Sequence, residues 1–197
     1  VNAIARLGRF VRGRDAEERC GLCAAVLGAV HAHLVQVDSG KLQCCCGGCA
    51  SVLGPASGKF RRVPERVRAL PELRMTPDDW KGFAIPVGIA FFVRSTPRGG
   101  TVAFYPSPLG PVETSVPPES WEGLLGKNPE LGALEPDVEA LLLRRGVDRA
   151  DAFLVPLDEC YRLTALVRKS WRGFTGGEDM AGIVDEFFAG LRRRGDA

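Results

Sequence analysis

After Trp80 the apolar positions fall into short runs punctuated by proline and glycine: FAIPVGIAFFV, TVAFYPS and PVETSV, separated by TPRGG and PLGP. Runs of this length between turn residues predict β-strands, and the glycine-rich turn joins the first two as an antiparallel hairpin. Pro86 inside the first run predicts an edge position, a bulge or a split into two segments, because proline cannot donate to a sheet ladder. Pro118, Trp121, Leu124 and Leu125 then suggest a short helix. A second helix is predicted at EPDVEALLLRRG, with Pro136 near its start, Arg144 and Arg145 in its last turn and Gly146 as its stop. DAFLVP reads as a short strand. In DECYRLTALVRKSW, Cys160, Leu163 and Val167 share a helical face, which makes Cys160 a core residue rather than a nucleophile. WRGFTGG breaks the chain before a last amphipathic helix with the stripe Ile183, Val184, Phe187, Phe188 and Leu191.

The N-terminal part has a different pattern. In VHAHLVQVD, Val30, Ala32 and Leu34 alternate with His31, His33 and Val35, so a strand puts both histidines on one face. Ser51 to Gly58 is rich in Gly, Ser and Pro and predicts a linker. The basic run KFRRVPERVR follows it. These elements add up to an α+β chain: a small N-terminal four-cysteine metal knuckle at residues 18–52, then a mixed antiparallel sheet with C-terminal helices at residues 59–194.

At 197 residues the chain can form one ordinary core plus a small module. Hydrophobic content of 45% beside 25% charge, with a mean hydropathy of −0.01, excludes a largely disordered chain. A net charge of +2 names no partner by itself. The first residues, VNAIARLGRFVRGRD, lack the apolar core of a signal peptide. The longest apolar run, Phe83 to Val93, holds Pro86 and Gly88 and falls well short of the roughly 20 residues of a spanning helix. A cytoplasmic protein with no membrane partner is expected. In a reducing compartment clustered cysteines point to metal or redox chemistry rather than disulfides.

Six of the seven cysteines lie between Cys20 and Cys49. Cys20-Gly-Leu-Cys23 and Cys46-Gly-Gly-Cys49 are two C-x2-C pairs with 22 residues between them, close to the two-knuckle spacing of structural zinc sites. Each turn brings two thiolates to one side, and its glycines free backbone N–H groups to bond the sulfurs. Zinc on Cys20, Cys23, Cys46 and Cys49 is the expected cofactor. Iron or an iron-sulfur cluster on the same cysteines is the alternative, since rubredoxin-like iron uses paired knuckles and clusters use thiolates as well. Cys44 and Cys45 are surplus but remain alternative ligands; Cys44 in place of Cys46 shortens the interval to 20 residues. His31 and His33 read first as a solvated strand face. As ligands they would complete a site of three cysteines and one histidine, or form a second metal site, with His33 the better placed of the two.

Arg61, Arg62, Arg66 and Arg68 lie beside the module and would form a partner or nucleic-acid surface. Few aromatics are interleaved with them, so a solvated basic turn is the plainer reading and nucleic acid is not the expected partner. The adjacent acids Asp78-Asp79 and Asp158-Glu159 read as caps or surface. No phosphate loop, dinucleotide fingerprint or nucleophile elbow is present, and no catalytic set is readable.

The motifs CGLC, HAHLV, LQCCCGGC, FRRVPERV, IPVGIAFF, AFYPSPLGPVETS and LDECYRLTALVRKSWRGFTGG, from about Cys20 to Leu191, resemble an uncharacterised actinobacterial family, a domain of unknown function. The family is encoded near genes for high-affinity nickel-iron hydrogenases and their maturation proteins. The family knuckle, C-x2-C then C-x-C-x2-C, maps to Cys20, Cys23, Cys44, Cys46 and Cys49, with Cys45 as a departure at the middle x. The resemblance implies metal binding and a non-enzymatic hydrogenase accessory role, with hydrogenase subunits or maturation proteins as partners. Electron transfer at the same cysteines and nucleic-acid regulation through residues 59–68 are the competing functions.

Overall fold

The computed structural model describes residues 17–56, 58–146, 150–171 and 180–195. The VNAIARLGRFVRGRD segment and the RGFTGG break lie outside the described residues. A small three-stranded sheet and a larger six-stranded sheet organise the chain. The small sheet has the order β2-β1-β3, with β1 at Ala32–Gln36, β2 at Lys41–Cys45 and β3 at Phe60–Arg62. The hairpin β1–β2 pairs His33 with Cys44 and Ala32 with Cys45, and β3 pairs with the other edge of β1.

Between β2 and β3 runs helix α1, Gly47–Ala56. The predicted linker at Ser51 to Gly58 is therefore mostly helix, a correction to the sequence reading. Its glycines are compatible with that because the helix is held from outside. The Ala50 amide bonds the Cys46 carbonyl, Ala50 is buried, and a β-carbon on Gly54 would lie only 3.1 Å from that of Arg62. Close approach to β3 requires glycine there. Gly58, at a φ of +58°, makes the turn that follows.

The large sheet has the order β4-β9-β8-β5-β6-β7, antiparallel throughout: β4 at Arg68–Ala69, β5 at Ile89–Ser95, β6 at Gly100–Ser107, β7 at Gly110–Ser115, β8 at Glu139–Arg144 and β9 at Asp151–Pro156. The predicted β5–β6 hairpin is present. Pro86 falls before the first residue of β5, so the run splits, as one of the expected outcomes had it.

EPDVEALLLRRG is strand β8, not the predicted helix. It lies between β5 and β9 with both faces covered, so Ala140 and Leu142 face one core while Leu141 and Leu143 face the other. A strand buried on both sides shows no alternation, and a short apolar run of this kind cannot be told from a helix by period alone. Pro136 sits in the loop before it, and Asp137, at a φ of +68°, turns its carboxylate onto the Thr96 amide and hydroxyl.

One face of the large sheet carries helix α4 at Leu157–Ser170 and helix α5 at Met180–Gly195. Cys160, Leu163 and Val167 are buried there, as are Val184, Phe187, Phe188 and Leu191 of the predicted stripe. The other face carries α2 at Pro77–Gly82, α3 at Pro118–Lys127 and a 3₁₀ turn at Pro129–Ala133, packing Trp80, Trp121, Leu124 and Leu131. The small sheet joins the first of these cores through Val35, with Val63 just beyond β3. Among the described residues no helix is long and apolar enough to cross a membrane.

Candidate metal centre

The first C-x2-C pair is a tight turn between bridged residues Arg19 and Val26. The Cys20 amide bonds the Ala25 carbonyl, the Ala24 amide bonds the Cys20 carbonyl, and Ala24 takes a φ of +61° to close the turn. The Gly21 amide reaches across to the Cys44 carbonyl at 2.9 Å, which ties the turn to β2. The second pair arises where β2 ends and α1 begins, so Cys46 stands at the helix entrance and Cys49 in its first turn. Exposed helical amides favour negative charge at such a position.

These two turns bring Cys20, Cys23, Cys46 and Cys49 together, with their sulfurs all within 4.8 Å of one another. The Cys23 and Cys46 sulfurs are 3.7 Å apart. A tetrahedron of sulfurs about 2.3 Å from a central ion has edges of about 3.8 Å, so this separation fits one shared tetrahedral ion. Cys20 is buried, Cys46 and Cys49 are partly exposed and Cys23 is exposed, so the centre reaches the surface on one side.

The backbone is arranged for anionic sulfur. The Cys46 amide, followed by those of Cys23 and Leu22, stabilises the Cys20 thiolate against the opposing effect of burial and draws its pKa from an ordinary 9 down to about 6. The Cys49 amide, 3.4 Å from the Cys46 sulfur, lowers Cys46 in the same way. Hydrogen bonds with Cys23 and then Cys46 raise Cys49 to about 12. At Cys23 the Ala25 amide pulls the pKa down, and the hydrogen bonds to Cys20 and Cys46 together with burial outweigh it. Negative charge is thus favoured on Cys20 and Cys46 and disfavoured on Cys23 and Cys49.

The other candidate ligands lie elsewhere. Cys45 is fully buried and donates to the Ala32 carbonyl, and burial raises its pKa. Cys44 faces the opposite side of the hairpin and donates to Glu18 Oε1 at 3.2 Å; burial and the Glu18 carboxylate push it up to about 11. His33 packs beside His31 with ring centroids 4.8 Å apart, and its Nδ1 lies 2.9 Å from Asp158 Oδ2. His31, His33 and Cys44 form a second group of donors within 4.8 Å of one another. Glu18 is not singled out by the sequence, and Asp158, which the sequence reads as a cap or surface acid, meets His33 instead. The first depends on the knuckle's fold, and the second comes from α4, far along the chain.

The four arginines all have partners within the chain. Arg61 bonds the Pro136 carbonyl and lies 3.7 Å from Asp137. Arg62 pairs with Glu65. Arg66 forks onto the fully buried Glu139 at 2.6 and 2.9 Å and reaches Glu135, while Arg68 bonds the Glu130 carbonyl.

Comparison with curated proteins and with solved structures finds no match. A family model described as "Family of unknown function (DUF5947)" matches residues 19–195, from the residue before the first knuckle cysteine to the end of the last helix. The chain belongs to the DUF5947 family.

Proposed function

We propose that this chain is a non-enzymatic zinc-binding accessory protein in which Cys20, Cys23, Cys46 and Cys49 hold one structural ion. The observation that carries this reading is the convergence of four sulfurs within 4.8 Å, two from a strand-bridged turn and two from a helix entrance. Four thiolates with no open position are the ligand set of a structural rather than a catalytic zinc site. The ion would fasten the knuckle, the hairpin and α1 to one another. That suits a scaffold that presents or receives a protein partner.

The same quartet accepts a single iron ion, which gives the second reading, a one-electron carrier. A four-iron cluster is less well suited, because each thiolate there binds a different iron and the sulfurs spread further than 4.8 Å allows. The pairing of Arg61, Arg62, Arg66 and Arg68 within the chain supports a part in holding the module in place rather than in binding nucleic acid.

Elemental analysis of the purified protein tests the assignment. One zinc per chain is expected, retained when Cys45 is replaced by alanine and lost when Cys20 or Cys46 is replaced by serine. Stoichiometric iron with a visible absorption spectrum would replace zinc by the electron-carrier reading. Metal that survives loss of Cys46 would refute the ligand set.

The family resemblance supplies a setting, assembly or maturation of a nickel-iron hydrogenase. Deleting the gene in a cell that makes such an enzyme should lower hydrogenase activity, and unchanged activity would remove that role.

A further inference from the structure

The β1–β2 hairpin has two sides. Leu34 and Cys45 turn toward the cluster that holds Cys20 and Ala50, beneath the four-cysteine centre. His31, His33 and Cys44 lie on the other side, with His33 directly opposite Cys44 in the antiparallel register.

The ring tautomers there are set by their partners. His31 Nδ1 is 2.9 Å from the Gly28 carbonyl, which can only accept, so Nδ1 carries the proton and Nε2 keeps its lone pair. His33 Nδ1 is 2.9 Å from the Asp158 carboxylate, which fixes the same tautomer. A histidine oriented through Nδ1 by a carbonyl or carboxylate, with Nε2 left free, is the usual arrangement of a metal-binding imidazole.

A second observation points to a cation on this side. The His31 side chain is nine-tenths buried, at 10% exposure, yet its Nε2 has no hydrogen-bond partner among the described residues. The nearest acidic atom, Glu18 Oε1, is 3.9 Å away, beyond hydrogen-bond reach, and that same oxygen accepts from Cys44 Sγ at 3.2 Å. A buried polar atom without a partner is costly, and a cation bound to Nε2 would remove that cost.

We propose that His31, His33 and Cys44 form a second metal site, separate from the four-cysteine centre, for a divalent first-row transition cation of borderline softness. Two imidazoles and one thiolate suit such an ion and are poor ligands for magnesium or calcium. On binding, the Cys44 S–H bond breaks, the sulfur bonds the ion, and the proton passes to Glu18 and from there to water. Three protein donors leave a fourth position for water, so this ion exchanges more readily than one held by four thiolates. Asp158 belongs to α4, so the site also links the hairpin to the larger domain.

Cobalt(II) is the probe, added to the full-length protein as purified, with its four-cysteine centre filled. A second equivalent should bind, giving d–d bands of a four-coordinate ion and a sulfur-to-cobalt charge-transfer band of one thiolate. Cys44→Ser and His33→Gln should each weaken cobalt binding at least tenfold while the original metal remains at one per chain. A wild-type protein that takes up no second equivalent, or variants that bind cobalt as the wild type does, would overturn the proposal. If the variants fail to fold, cobalt-edge X-ray absorption on the wild type decides. Mixed nitrogen and single-sulfur ligation supports the site, and oxygen-only or four-sulfur ligation refutes it.

Discussion

Three consecutive cysteines, Cys44, Cys45 and Cys46, go to three different places. The pleat of β2 sends Cys44 to the histidine side and Cys45 into the core, and the chain then leaves the strand so that Cys46 stands at the entrance of α1. Knuckle spacing was enough to prefer Cys46 over its neighbours. The separation of Cys44 from Cys45 needs the register of β1 and β2, which spacing does not contain. Proton release follows from the same residues. Because Cys20 is drawn down to about 6, it is already a thiolate near neutral pH, whereas Cys23 and Cys49 are shifted upward. Filling the centre at pH 7.5 should therefore release at least two but fewer than four protons per ion. The number should climb toward four as the pH falls through 6 and Cys20 takes up its proton. Calorimetry in buffers of different ionisation enthalpy measures this, and four protons at pH 7.5 would contradict it.

Local composition misleads where an element is defined by its surroundings. β8 reads as a helix because Ala140 to Leu143 are apolar without interruption and two arginines and a glycine follow, which are helix-stop signals. The strand forms because it has a neighbour on each edge and a core on each face, and none of these is local. Leu142 is fully buried in the core beneath α4 and α5, so Leu142→Ala should cost about 2 to 5 kcal/mol in urea denaturation. A loss below 1 kcal/mol would place this residue outside a packed core. Helix α1 misleads in the opposite direction, since its glycines and proline spell loop. The burial of Ala50 and the close fit of Gly54 against β3 override them. The β5–β6 hairpin, α3, β9, α4 and the stripe of α5 were legible because their turn residues and their periodicity agree.

At the scale of the molecule, the cysteine-bearing hairpin region and the large sheet are joined by contacts that no motif announces. Val35 and Val63 enter the core beneath α4 and α5, His33 meets Asp158, and Arg66 spans to the buried Glu139. The arginines were legible as a cluster, but the task of Arg66 was not, because Glu135 and Glu139, which it meets, lie some seventy residues away in the sequence. Glu139 also accepts from the Glu135 amide, so its buried carboxylate is well supplied with donors. Arg66→Ala would leave that charge short of its strongest partner. The half-exposed position of Arg66 lets water replace part of the loss, which sets the expected destabilisation at about 2 kcal/mol by denaturant titration. A neutral result would show that the pair does not join the two parts.

The central claim is that one ion sits among Cys20, Cys23, Cys46 and Cys49. X-ray absorption at the metal edge, on protein holding one metal per chain, tests it most directly. A single shell of four sulfurs at about 2.3 Å is the expected spectrum. A shell containing nitrogen or oxygen, or a short metal–metal vector, would contradict it.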